Sequence, residues 1–530
     1  MNKFLWLPVM GLTACWVQDT SISLDDNLWD SNVVAASDGV YVALPFAEML
    51  VRVRLDSDSS LDLAVVDLDG ARVNRMVPTP DGSSVLVFAE WDECKDEDSE
   101  IVYRSDCPSD ELVTNSELAI VSDAQRTQRL EIPSHLNTIE FSPDNSIAVA
   151  YLDYSLGGEI TIEGVADLGE VAFINLADEA SSQIRSSISV GFSPNRVLFG
   201  TNNDAVVMSR SQVVVVDLTT FEKTLEAPLT LDADQQIDPS GAELAYDEES
   251  GASTLLLTVQ GSSDLYMLNL ASEFWNIGDL GAIPSAIGVD NSSAQSVFVF
   301  GASSKAVILD HASLASLSSS SIEDISLEEP ANKTILGSGF ALLYHDSNDY
   351  VHDVYRIDLD SRELTEYVLA NPLSELQLSP SGQYAVGIMR PENGYSSNLD
   401  AYQDSRWGIA ILNTLSDDVV SLVAESQPIA VEIIENQNGS FALVLMNGLD
   451  YLLQIDLSQP SNFIPVEMDA APLSLSKMPA DDGRFLISHD VDMGMVSFLD
   501  PTTLEITSID GFAVTGLLNE QILPRRAEEE

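Results

Sequence analysis

The hydrophobic positions of this chain fall in short runs, each closed by a polar residue and a turn, and the unit recurs along its length. The runs read LAVVDLDG, LAIVSDAQ, VAFINLAD, VVVVDLTT, LYMLNLAS, AVILDHAS, VYRIDLDS, IAILNTLS, LLQIDLSQ and VSFLDPTT. Their closing residues are Asp67, Ser122, Asn175, Asp217, Asn269, Asp310, Asp358, Asn413, Asp456 and Asp500, about 48 residues apart on average. Apolar stretches this short, bounded by turn residues, predict strands. No segment of a dozen residues carries the i, i+3, i+4, i+7 stripe with caps that marks an amphipathic helix.

A second marker precedes the first in most units: SDGV at 37, TPDG at 79, SPDN at 142, SPN at 193, DPSG at 238, SPSG at 379, QNGS at 437 and DDGR at 481. Pro presets φ for the first turn position, and Gly or Asn accepts the left-handed conformation that closes the turn. Turn, strand, loop, strand, turn describes a meander, and a repeat of ~40–50 residues is the period of propeller blades. A lone four-stranded sheet leaves two apolar faces and two unpaired edges, so such sheets must stack face to face. The expectation is an all-β protein, a β-propeller of repeated antiparallel four-stranded blades. The closed apolar runs are read as equivalent inner strands, and a β-sandwich array or β-solenoid is the alternative. About ten units exceed the usual ~4–8 blades, which leaves a large single ring or two smaller rings open.

The segment SVGFSPNRVLFGTNNDAVVMSRSQVVVVDLTTFEK, Ser189 to Lys223, resembles the YVTN and lactonase-like propeller repeat, and the final unit with VSFLDPTTLEI is similar. The resemblance covers the core of most units and implies propeller (WD40-like) architecture more than any activity.

Charge narrows the partners. The chain has 530 residues, with 85 acidic and 23 basic side chains and a net charge of −62. A nucleic-acid partner is excluded on this reading, because binding a polyanion needs basic side chains that displace phosphate counterions. The acidity fits a saline-adapted or cation-collecting surface as well as one that is simply soluble.

The start of the sequence is a different kind of segment. Met1 to Lys3 are followed by the apolar run Phe4 to Ala14, too short for the ~20 residues that span a bilayer. It fits an export signal. Leu12-Thr13-Ala14-Cys15 resembles the bacterial lipobox, which implies cleavage before Cys15 and acylation (palmitate or a related chain) of that residue. The expected organisation is a signal peptide at 1–14, a lipidated tether at 15–32, a propeller at 33–516 and a polar tail at 517–530. Trp16 after the lipidated cysteine favours the outer over the inner membrane, on the periplasmic or the outer side of the envelope.

Candidate chemistry is sparse. Cys94 and Cys107 bracket the acidic insertion CKDEDSEIVYRSDC and read as a disulfide closing a surface loop. Asp56, Asp58, Ser60, Asp62 and Asp67 approximate the spacing of a calcium loop, but Leu61 stands where the sharp turn needs Gly. The insertion's own acids, Asp92, Glu93, Asp96, Glu97 and Asp98, suit weak, unselective cation binding. Calcium is thus the one cofactor considered, and solvated loop faces are the plainer reading. The histidines are His135, His311, His345, His352 and His489, of which His345 and His352 flank DSNDYV in a predicted hairpin. Ser474 to Lys477 matches SxxK without partner motifs, and neither HExxH nor GxSxG is present. With no catalytic constellation, the expected function is a non-enzymatic, lipid-anchored platform for envelope protein or glycan partners. A propeller enzyme of lactonase-like or glycan-hydrolysing type is the alternative.

Overall fold

The computed structural model describes residues 33–510 except 45–48, 56–60, 95–106, 109–111, 133–135, 154–167, 177–183, 233–234, 237–238, 248–251, 317–321, 349, 393–404, 480–482, 490 and 492–493. Cys15, the tether and the C-terminal tail lie outside this range. The described residues form ten four-stranded antiparallel sheets, each a meander of consecutive strands, and the fold is a β-propeller. In chain order the blades occupy 33–66, 72–131, 138–189, 194–228, 239–279, 286–326, 333–368, 373–423, 428–467 and 472–510. A two-stranded ribbon at 230–236 separates blades 4 and 5, and one 3-10 turn, His311–Ser316, follows the third strand of blade 6.

Two compact units are distinguished, one of blades 1, 2, 3 and 10, the other of blades 4 to 9. In the first, Val40, Val42 and Val53 of blade 1 pack against Leu486, Val496 and Phe498 of blade 10, so the first and last blades share a core. Blade 1 buries its other face, through Tyr41, Leu50 and Val66, on Met76, Val85, Val87 and Val121 of blade 2. In the second unit the same arrangement runs seam by seam, for example Leu342, Val354 and Tyr367 of blade 7 against Leu376, Ala385 and Leu412 of blade 8. Coverage of both faces explains why the central strands are unbroken apolar runs, as in Tyr384–Met389, buried at every position. Outer strands have water on one side and alternate, as in Leu364–Val368.

The closed apolar runs are not the inner strands. Nine of them are third strands, and LAVVDLDG is the fourth strand of blade 1, whose third strand is Met49–Leu55. The inner position belongs to the first strands, which approach one another within 8 Å between Cα atoms from blade to blade, in blades 1 and 2 and in blades 5 to 9. The third strand is the most apolar because it is flanked on both sides within its own sheet. What the closing residue does is hold the turn to the fourth strand. Asp217 Oδ1 accepts the backbone N–H groups of Thr219 and Thr220 at 2.7 and 2.9 Å, and Phe221 then takes φ 57° and donates to the Asp217 carbonyl at 2.7 Å. Asn269, Asp358 and Asp500 do the same, with Glu273, Arg362 and Leu504 in the left-handed position. Asp and Asn are used because their side-chain oxygen reaches the backbone two and three residues on.

The Ser-Pro-Asp-Gly turns close first onto second strands. In TPDG, SPDN and SPSG the leading hydroxyl accepts the N–H five residues later: Ser84 to Thr79 at 3.0 Å, Ile147 to Ser142 at 3.0 Å and Tyr384 to Ser379 at 3.1 Å. Gly82, Asn145 and Gly382 supply the positive φ. Gly82 is doubly constrained, because a Cβ there would lie 2.2 Å from Pro479 in the matching turn of blade 10. DPSG and SPN instead open first strands, at Pro239 and Pro194.

If seam packing holds the fold, Phe498→Ala, at 2% exposure between blades 10 and 1, should lower unfolding free energy by ~3–5 kcal/mol. Val368→Ala, on an outer strand at 66% exposure, should change it by less than ~0.5 kcal/mol. Guanidinium unfolding midpoints for the two variants give the comparison.

Candidate functional site

A four-stranded meander places its first-to-second and third-to-fourth turns at one end and its second-to-third loop and blade-to-blade linker at the other. Neighbouring blades within a unit align these ends. Ser37 donates to the Gly82 carbonyl at 2.8 Å between turns of blades 1 and 2, and Arg390 Nη1 donates to the Asp346 carbonyl at 2.7 Å between loops of blades 8 and 7. The turn end is therefore the Asp- and Ser-capped face. The loop end carries the segments that differ in length from blade to blade, where binding groups concentrate on rigid scaffolds.

On the second unit, the loop end of blades 6 to 8 gathers a polar cluster. Asn332, just before the first strand of blade 7, donates to Asp346 Oδ1 at 2.7 Å and to Ser347 at 3.1 Å, and accepts the Asp346 N–H at 3.0 Å. Lys333 Nζ is 3.3 Å from Asp346 Oδ2. Burial acts to raise the Asp346 carboxyl, but the bonds from Asn332, Lys333 and Ser347 outweigh it and hold the group below the usual carboxylate range. Beside this cluster, Ala370, Asn371, Met389, Arg406, Trp407, Leu422 and Val423 line a shallow pocket at the edge of blade 8. Its floor is the buried Asn371 amide, which donates to the Arg406 carbonyl at 3.0 Å. The polar cluster itself carries both charges, on Lys333 and Asp346.

Among the described residues, the predicted hairpin between His345 and His352 does not assemble a metal site. His345 Nδ1 accepts the N–H groups of Ser347 and Asn348 at 3.2 and 3.1 Å, so that nitrogen folds the loop, and His352 Nε2 faces Glu392 at 3.4 Å. Burial, opposed by a bond to the Gly301 carbonyl and by Asp346, keeps the His345 imidazole below its ordinary pKa. Of the calcium-loop candidates, Asp56, Asp58 and Ser60 lie outside the described residues. Asp62 pairs with Arg52 at 2.7 Å and with Arg54 at 3.2 Å, and Asp67 Oδ1 accepts the Asp69 N–H at 2.9 Å. Both described members thus hold the fold. Of the insertion's acids, Asp96, Glu97 and Asp98 lie outside the described residues, as does His135, while Asp92 accepts from Thr114 at 2.7 Å. Cys94 and Cys107 form the expected disulfide, with Cα atoms 5.8 Å apart.

Ser474 of the SxxK stretch lies on the first strand of blade 10, 2.5 Å from the Ser488 hydroxyl. On the same blade His489, at 1% exposure, bonds the Ala470 carbonyl through Nδ1 at 3.0 Å and Ser497 through Nε2 at 2.6 Å. Ser508 lies 2.9 Å from Ser497 and donates to Asp469 at 2.6 Å. The buried His311 of blade 6 also bonds a carbonyl and a serine, that of Tyr246 at 2.8 Å and Ser296 at 3.0 Å, but it follows the third strand, where His489 ends the second. Both rings are held by bonds within the fold.

Sequence reading missed the residues that clamp the loop end, although they leave a signal. Asn137, Ser285, Asn332 and Asn371 each stand one or two places before a first strand and bind the end of the second strand, as Asn137 does with the Asp153 N–H at 2.8 Å. The signal is a polar residue ahead of four of the inner strands, in LNT, PSA, ANK and ANP.

No family model matches the chain, and no curated protein resembles it in sequence. Among solved structures it is similar to a eukaryotic initiation factor, with TM-score 0.45 and 14% identity over 74% of this chain and 87% of that one. It is also similar to dihydro-heme d1 dehydrogenase NirN in complex with DHE, with TM-score 0.40 and 11% identity over 74% of this chain and 71% of that one. For apo AztD from Citrobacter koseri the values are 0.35 and 13%, over 67% and 93%. The likeness is one of fold.

Burial lowers the His489 pKa from its ordinary 6.5, although the Ala470 and Ala471 carbonyls and Asp469 act to raise it. The unfolded chain then takes up the proton first, so this residue's contribution is intact above about pH 6.5 and is lost as pH falls below it. Thermal unfolding followed from about pH 7 to pH 5 should show a falling midpoint, and His489→Gln should flatten part of that fall. Equal slopes in the two proteins would assign the pH dependence elsewhere.

Proposed function

We propose that this chain is an exported, lipid-anchored β-propeller that acts as a non-enzymatic platform for protein or glycan partners at the bacterial cell envelope, held by Cys15 in the outer membrane. One observation carries the platform reading: the two ends of the blades are chemically unequal. At the turn end the same Asp, Asn, Ser and Thr side chains saturate their own backbone in blade after blade, leaving repeated, closed turns. At the loop end Lys333, Asp346, Arg390 and the Trp407 pocket stand on clamped loops of unequal length. Fixed loops on a stiff scaffold limit the ordering cost of binding. The excess of carboxylates selects basic or cation-bridged partners and repels polyanions. Support for the anchor is the Leu12-Thr13-Ala14-Cys15 sequence, and two or more acyl chains are enough for durable attachment.

Tyr350, 77% exposed at the loop end of blade 7, and Leu415, 73% exposed at the turn end of blade 8, allow a matched test. With a photo-crosslinking residue at either position in living cells, covalent adducts should form from 350 and not from 415. Adducts only from 415, or from neither, would refute the loop-face platform. Separately, Cys15→Ser should move the protein from the membrane pellet to the soluble fraction, and continued sedimentation with membranes would rule out the anchor.

A further inference from the structure

The chain contains three Asn-Gly dipeptides, Asn393-Gly394, Asn438-Gly439 and Asn447-Gly448. The first lies outside the described residues, and the other two fall at opposite ends of blade 9. An asparagine followed by glycine can close on itself, because the glycine nitrogen can attack the side-chain carbonyl carbon. Closure needs that nitrogen unbonded, the side-chain amide free to swing, and no Cβ on the next residue in the way. Both described dipeptides meet the last condition. They differ in what holds the nitrogen.

At the turn end, Gly439 opens the second strand opposite Asn436, where a two-residue turn closes the hairpin, so its N–H belongs to the ladder. The Asn438 N–H is held as well, by Asn436 Oδ1 at 2.8 Å. At the loop end, Asn447 and Gly448 are exposed and form the middle of the turn from Met446 to Leu449. Gly448 has φ 68°, and the Leu449 N–H donates to the Met446 carbonyl at 3.4 Å. The closing bond of such a turn leaves out the N–H of its central glycine. Among the described residues neither the Gly448 N–H nor the Asn447 side-chain amide has a hydrogen-bond partner. One contact opposes closure: Ser426 Oγ donates to the Asn447 main-chain carbonyl at 2.6 Å, and bringing the Gly448 nitrogen to the side chain rotates that carbonyl away.

We infer that Asn447-Gly448 is a site of spontaneous deamidation restrained by Ser426, while Asn438-Gly439 in the same blade is protected by its ladder. The Gly448 nitrogen bonds to Asn447 Cγ and gives up its proton, and the side-chain amide leaves with that proton as ammonia. Water then adds to one of the two carbonyls of the five-membered imide. Breaking the new N–Cγ bond leaves an aspartate side chain. Breaking the original main-chain bond leaves an isoaspartate linked through Cβ, whose free carboxylate is the group that had accepted from Ser426. Either product adds a negative charge to the loop end of blade 9, where Glu425 and Asp450 already lie, and the second lengthens the turn by a methylene. The site stands whether or not that face binds a partner.

The whole protein in detergent is incubated at mildly alkaline pH, digested at intervals and mapped by mass spectrometry, where conversion of amide to acid shifts the peptide mass and isoaspartate shifts its elution. A parallel sample kept unfolded in guanidinium gives the intrinsic rate of each dipeptide, and each folded rate is divided by its own unfolded rate. Position 447 should then be modified at least about tenfold faster than position 438, where a ladder bond must open first. Ser426→Ala should raise the rate at 447 about threefold, since one hydrogen bond no longer has to break, and leave 438 unchanged. Circular dichroism confirms that the sheet content persists through the incubation; if Ser426→Ala does not fold, the two positions of the unaltered chain decide alone. Equal normalised rates at 447 and 438, faster loss at 438, or no conversion at 447 while the unfolded sample converts would each overturn the site. An unchanged rate at 447 in folded Ser426→Ala overturns the restraint.

Discussion

Each blade of this protein has two apolar faces, and neither can be left in water. A central strand such as Gly408–Asn413 is buried at five successive positions, so a blade alone would expose most of its stabilising surface. Pairing two blades hides only one face of each. The remedy is repetition, with the seams within each unit small cores of about a dozen buried residues. In the first unit the same logic brings the last blade against the first, and Phe498 packs with Val40 and Val53 from the far end of the sequence. No strand is exchanged across that seam, because each sheet consists of consecutive strands. Side-chain packing, helped by Arg484 donating to the Leu55 carbonyl at 3.1 Å, does the joining.

That seam chemistry also accounts for the fate of the cations. Arg52 bridges from blade 1 to Asp123 of blade 2 at 2.6 Å, and Arg75 reaches from blade 2 to the Asn137 carbonyl ahead of blade 3 at 2.5 Å. Arg196 joins Glu243 across blades 4 and 5 at 2.8 Å. Arg362 turns from blade 7 onto Glu323 and Gln295 of blade 6, both at 2.9 Å. Arginine suits this task because its planar fork satisfies two acceptors at once and stays charged when partly buried. With 23 basic residues against 85 acidic ones, the chain stays strongly negative even though seam arginines meet exposed carboxylates such as Asp123 and Glu323.

The architecture was legible in the sequence because blade repetition repeats its local signals. Strand content, meander order, repeat period and the disulfide all followed from short-range patterns, and the YVTN-like resemblance of residues 189–223 pointed to the same propeller architecture. Which strand lies innermost was not legible, for a physical reason. Apolarity measures how fully a strand is covered, and the third strand has neighbours in its own sheet as well as in the next blades, whereas the first strand has one open edge. Asp67 was misplaced by the same reasoning, because blade 1 closes its fourth strand with an Asp turn that imitates the third-strand pattern elsewhere. The polar residues of the loop end were only half visible. Asn332 and Asp346 meet because a linker and a loop fourteen residues apart end side by side, and that proximity belongs to the meander and not to any motif.

Acidic residues illustrate how differently one composition is used at the two ends of a blade. Asp217 and Asp358 are held below the ordinary carboxylate range by N–H groups of their own turns. Such carboxylates already have their donors, so they are poor ligands for anything arriving from outside. Asp62, which the sequence offers as a calcium ligand, is committed to Arg52 and Arg54 in the same way. Selectivity toward a partner must then come from groups whose surroundings are not repeated, and these lie where loops differ in length. A repeat protein gains its stiffness from sameness at one end of each blade, which leaves its recognition to be written in the departures from the repeat at the other.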